Sequence, residues 1–118
     1  DFHSTDLMVD WALARGMKVK GHVLCWHVTT PPLVEDLSPD EVREQLRRHI
    51  FTTMGHFRGR IKVWDVVNES LAPDGTLAEN VFLRKLGPLA TPRLVLRPVE
   101  YLTTISHMIS LPIQPMQG

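Results

Sequence analysis

The sequence predicts an α/β fold with parallel strands, from three observations. Residues 19–27 and 61–67 are short apolar runs, and the first has apolar side chains on both parities (Val23 and Cys25 against Leu24 and Trp26), as suits a strand covered on both faces. A stretch of helical period precedes each run, giving the order α-β-α-β. The crossover between the runs, roughly 20 residues with its own helix, fits a parallel connection and is too long for a hairpin.

Each element has local reasons. Residues 4–15 form a helix capped by Ser4 or Thr5, with Leu7, Met8, Trp11, Ala12 and Ala14 recurring at three- and four-residue spacing and Gly16 as its stop. The strand 19–27 runs into a loop at Thr29-Thr30-Pro31-Pro32. Ser38-Pro39-Asp40-Glu41 is a capping box with Pro at the first helical position. The helix it opens reaches about Phe57, with Val42, Leu46, Ile50, Thr53 and Phe57 on one stripe and Gly59 as terminator. The strand 61–67 breaks into Leu71-Ala72-Pro73-Asp74-Gly75. From Pro88 the character changes: Pro92, Pro98, Pro112 and Pro115 rule out a long helix, and no clear period follows.

Composition narrows the function classes. The 118 residues suffice for one small domain, and thirteen acids balance thirteen Lys and Arg. No polyanionic partner such as nucleic acid is implied, and Arg58, Arg60 and Lys62 read as a solvated helix C-terminus. Cys25 is the one cysteine, so no internal disulfide forms. No apolar run reaches the ~18 residues of a membrane span. The histidines show no metal-ligand spacing: His22 and His27 lie on opposite parities of the strand. No cofactor is implied.

Chemistry concentrates at the end of the second strand, Trp64-Asp65-Val66-Val67-Asn68-Glu69-Ser70. An amide and a carboxylic acid stand side by side at a C-terminal strand tip, where parallel α/β proteins bind ligands. A Glu there is either a polar strand end or a general acid, since apolar walls favour the neutral carboxyl. Asp65 lies on the parity of Glu69, one step deeper. A lone buried Asp would be costly, so a histidine of the neighbouring strand, His22 or His27, should pair with it. His22 and Trp26 share a strand face about 13 Å apart.

The string Trp64 to Glu69, together with the earlier Gly21-His22-Val23-Leu24-Cys25-Trp26-His27, resembles glycoside hydrolase family 10, the retaining endo-β-1,4-xylanases. In that family strings of the form G-H-x-L-x-W-H and W-D-V-V-N-E sit on the third and fourth strands of a (β/α)8 barrel. The resemblance runs from about Phe2 through Phe82-Leu83-Arg84-Lys85-Leu86-Gly87. It implies that Glu69 is the general acid/base, protonating the leaving glycosidic oxygen and then deprotonating the attacking water. It implies that Asn68 bonds the sugar 2-hydroxyl, that His22 bonds hydroxyls and that Trp26 walls the cleft. Asp65 and His27 become structural supports. Asn68-Glu69-Ser70 also fits a glycosylation pattern, which a cleft-facing Asn would not satisfy in practice.

The resemblance has limits that set further expectations. The family usually carries Gln and Trp where this chain has Thr29 and Leu33, which removes one sugar contact and one aromatic wall. Its nucleophile is a Glu on the seventh strand, in a T-E-x-D-like run that does not occur here. Retaining hydrolysis needs two carboxyls ~5–5.5 Å apart, and a whole barrel takes about 250 residues. The expectation is therefore a fragment of a (β/α)8 TIM barrel comprising helix 2, strand 3, helix 3 and strand 4 over residues 1–87. A Pro-rich tail of unknown structure, out of the family frame, would follow at 88–118. The resemblance implies xylan or a xylo-oligosaccharide as the partner, neither nucleic acid nor membrane is expected, and catalysis by this chain alone is not expected without the missing barrel half. Two alternatives use the same residues differently: a non-catalytic carbohydrate-binding half-barrel on Trp26, His22 and Asn68, or an α/β interaction module. Secretion is what the family implies, although no signal segment is visible in these residues.

Overall fold

The computed structural model describes residues 1–88. The elements are α1 (His3–Ala14), β1 (Lys20–Cys25), α2 (Pro39–His56), β2 (Val63–Val67) and α3 (Val81–Leu86), with two 3-10 turns, His27–Thr29 and Pro32–Asp36, between β1 and α2. The strands pair in parallel, with Lys20 opposite Val63, Gly21 opposite Trp64 and His22 opposite Asp65. The expected α-β-α-β order is thus present. The tail from residue 89 onward lies outside the described residues.

α1 is capped differently from expectation. Neither Ser4 nor Thr5 caps it; Phe2 is the N-cap, and the His3 N–H donates to Asp1 Oδ1 at 2.9 Å. Its end is as expected. Gly16, at φ +73°, donates to Leu13 O, and Met17 donates to Ala12 O, the paired bonds that close a helix through a left-handed residue. The buried face also differs. Val9 packs with Phe57 and Ile61, supported by Phe2 and Leu13, while Leu7, Met8 and Trp11 stay exposed. The helix carries apolar residues on two sides, and only the side facing α2 and Ile61 finds partners here. Arg15 lies over the exposed Trp11 ring, its guanidinium carbon 3.9 Å from the centroid.

The capping box is present in full: Glu41 N–H donates to Ser38 Oγ at 3.3 Å and Ser38 N–H donates to Glu41 Oε2 at 2.8 Å. The bond from the Ser38 backbone holds the Glu41 carboxyl below its ordinary range. Ser38→Ala should cost about 1 kcal/mol, read as a lower urea midpoint, because an orphan helix N–H loses its acceptor. An unchanged midpoint would mean that water replaces the cap without loss.

Val42, Leu46, Ile50 and Met54 form the buried stripe of α2, with Phe57 just beyond it. Met54 takes the place expected for Thr53, continuing the four-residue step from Leu46 and Ile50. Leu24, Cys25, Leu46, Ile50 and Met54 make one core and Val9, Phe57 and Ile61 another; Trp64 packs against both. Arg60 is not merely solvated, as first expected. It bonds Asp6 at 2.8 Å and Asp10 at 3.1 Å, and His56 Nε2 meets both Asp6 oxygens at 2.8 and 2.9 Å. These contacts tie α1 to the end of α2.

α3 was not anticipated as a helix, although its punctuation stands in the sequence. Asn80 accepts from the N–H groups of Phe82 and Leu83, each at 3.0 Å, and Gly87 ends the turn. Lys85 donates to the carbonyls of Glu35 and Leu37, and Arg84 pairs with Glu35, anchoring α3 to the second 3-10 turn. No helix among the described residues is long and apolar enough to cross a membrane.

Candidate active site

Residues paired across a parallel ladder share a sheet face, so Lys20, His22, Val63 and Asp65 lie together. Gly21 and Trp64 occupy the opposite face, toward the helices. The pairing slips between His22 and Cys25, and β1 ends at Cys25, two residues before the expected limit. Trp26 leads into the turn His27–Thr29, and Thr30 Oγ1 clasps its carbonyl at 2.9 Å. The His22 and Trp26 rings stand 6.0 Å apart, centroid to centroid.

The two strand tips meet through side chains. Trp26 Nε1–H donates to Glu69 Oε2 at 2.9 Å. One residue earlier, the Asn68 N–H donates to Cys25 O at 3.0 Å, carrying the ladder one step past β2 and fixing Asn68 beside the tip of β1. Glu69 adopts φ +52°, the left-handed region, which turns the chain out of the strand direction at the acid itself. Trp26, Asn68 and Glu69 therefore meet at the C-terminal ends of the two strands, with the mid-strand His22 ring 6.0 Å from that of Trp26.

Below them, His22 Nδ1 lies 2.9 Å from Asp65 Oδ2, so His22 and not His27 is the histidine partner of Asp65. Lys20 Nζ, unremarked in the sequence, reaches the same carboxylate at 2.9 Å from Oδ2 and 3.1 Å from Oδ1. The His27 ring makes no hydrogen bond within the described residues; His27 opens the 3-10 turn, and its carbonyl accepts from Thr30 N–H. The bond from Lys20, and then that from His22, hold the Asp65 carboxyl below its ordinary value of 3.8. A depressed carboxyl contributes stability that is complete above its unfolded value and drains away as pH falls through the folded one. The urea midpoint should therefore fall from about pH 5 downward. Asp65→Asn should flatten part of that loss, with Asp6, held low by His56 and Arg60, supplying another part. An acid limb identical in the variant would remove Asp65 from this role.

The other groups are occupied elsewhere. Burial pushes the Cys25 thiol up to about 12, which leaves it unreactive. Glu35 and Glu79 pair with Arg84, Glu41 closes the capping box and Glu44 faces Arg47. Glu100 lies outside the described residues. Thr29 and Leu33 are exposed and line the hollow beside Trp26 rather than the acid. Behind Trp26 an apolar hollow runs between the two 3-10 turns, α2 and Phe82, but Glu69 does not line it, so it is separate from the acid. No cluster of His, Cys, Asp or Glu among the described residues could hold a metal ion.

Residues 1–90 match the model of glycosyl hydrolase family 10. The chain is 44% identical over 85 residues to a β-1,4-xylanase of Dictyoglomus thermophilum, covering 72% of this chain and 23% of that protein. It thus spans about a quarter of the length of such relatives. Among solved structures, an endo-1,4-β-xylanase of Penicillium canescens superposes with a TM-score of 0.80 at 30% identity, covering 90% of this chain and 32% of that one. Xylanase 10B of Thermotoga petrophila, solved with xylobiose, gives 0.77 at 33% identity, covering 85% and 31%.

Proposed function

Because the chain belongs to glycosyl hydrolase family 10, we propose that it supplies the acid/base side of a retaining endo-β-1,4-xylanase site. In this reading α1, β1, α2 and β2 are helix 2, strand 3, helix 3 and strand 4 of a (β/α)8 barrel. The observation that carries it is the Trp26–Glu69 hydrogen bond, which joins the ends of both motifs at the C-terminal tips of parallel strands. Glu69 gives its proton to the glycosidic oxygen as the bond breaks and later takes one from water. Asn68 bonds the 2-hydroxyl, where contacts strengthen as the oxocarbenium-like state forms. His22 orients hydroxyls and Trp26 walls the sugar. Asp65 supports His22, and His27 turns the chain behind Trp26.

The nucleophile has to come from elsewhere in a complete barrel, since the glutamates of the described residues other than Glu69 are engaged as above. The 118-residue chain should therefore bind xylobiose without hydrolysing xylan. Titration of the labelled chain should shift the amides of His22, Trp26, Asn68 and Glu69, and xylan incubated with it should release no sugar above buffer. Release that disappears in Glu69→Gln would overturn the need for a second carboxyl. An amide spectrum indifferent to xylobiose would sink the sugar site.

A further inference from the structure

Lys20 falls outside both motifs, yet it is the residue that touches both oxygens of Asp65, at 2.9 and 3.1 Å. His22 Nδ1 approaches the same Oδ2 at 2.9 Å. The geometry points to Lys20 as a positioning residue: it fixes the Asp65 carboxylate and offsets its charge, so that His22 donates through Nδ1–H and keeps Nε2 as a lone-pair acceptor for a sugar hydroxyl. This rests on the reading of His22 as a sugar contact.

The chemistry follows from how the carboxylate is held. A carboxylate free to rotate can release imidazole Nδ1, and the ring then exchanges between its two neutral tautomers. A lysine on both oxygens holds the carboxylate in place, so that Nδ1 stays the donor and Nε2 stays free to accept. Among the described residues the charged groups facing His22 are Lys20 on β1, Asp65 on β2 and, across the Trp26 ring, Glu69. In a closed barrel this face would be shielded from water, where an unpaired carboxylate is costly and a lysine partner matters more.

The test is nitrogen-15 NMR of the His22 ring in the 118-residue chain, through the two-bond proton–nitrogen pattern at mildly alkaline pH. The parent should show the Nδ1–H tautomer. Lys20→Met and Lys20→Gln should weaken that pattern toward a mixture of the two neutral tautomers, and Lys20→Arg should restore it. Because Lys20 is mostly exposed, the remaining amide spectrum should stay in place and report a folded chain. A parent-like ring pattern in both neutral variants, or an Nε2–H tautomer in the parent, would overturn the inference. Neither readout uses sugar, so it can fail while xylobiose still binds. Conversely, a chain blind to xylobiose whose ring responds to Lys20 in this way would sink the sugar site and leave the positioning role intact.

Discussion

Glu69→Gln should lower xylan turnover about 10²–10⁴-fold once the barrel is complete, the range that a positioned acid/base contributes. The measurement needs a host. Residues 1–88 can replace the matched third of a solved xylanase of similar backbone, such as the one from Penicillium canescens. Gln keeps the shape and can still meet Trp26, but it cannot deliver a proton. The loss should therefore be largest on xylan, whose leaving hydroxyl needs protonation. It should be smaller for the first step on an aryl xyloside whose phenolate leaves unaided. A loss under tenfold on xylan, with the chimera folded and active, would exclude Glu69 as the acid. An equal loss on both substrates would indicate damage to binding or folding instead.

Gly21→Ala should destabilise the chain by about 1–3 kcal/mol, the usual cost of forcing an atom into a filled core. A Cβ at Gly21 would stand 2.1, 2.3 and 2.5 Å from three Trp64 ring atoms, well inside any allowed contact. The ring has little freedom to yield. It packs against both cores, and its centroid lies 6.1 Å from that of Phe57. The urea midpoint should drop sharply, and Trp64→Phe in the same chain should recover part of the loss by vacating ring volume. A midpoint equal to that of the parent would mean that Trp64 does not cross over Gly21.

The sequence was readable where one local cause acts alone. Ser38, Pro39 and Glu41 specify the start of α2, Gly16 specifies the end of α1, and the four-residue repeat of Val42, Leu46 and Ile50 marks the buried face. It was less readable where two causes compete. α1 is apolar on two sides, and only packing against Phe57 and Ile61 selects Val9 over Leu7 and Trp11. β1 looks continuous through His27, but the register slip after His22 and the turn at Trp26 are decided by pairing with β2. At the strand tips, the motif strings single out Asn68 and Glu69 as candidates but do not reveal the bond from Trp26 to Glu69, which joins residues distant in the chain. Lys20 was invisible for the same reason: its partner lies across the sheet, and a lysine at a strand start looks like any solvated cation. The partners of Arg60 are equally hidden from its own segment, because Asp6 and Asp10 belong to a different helix.

The left-handed backbone at Glu69 has a consequence for stability. A side chain of this size is held there against its own preference, at a cost of roughly 1–2 kcal/mol, and glycine would adopt the same angles freely. With Glu69 as the acid proposed above, the backbone favours glycine at this position while the chemistry requires a carboxylate, so stability and turnover pull it in opposite directions.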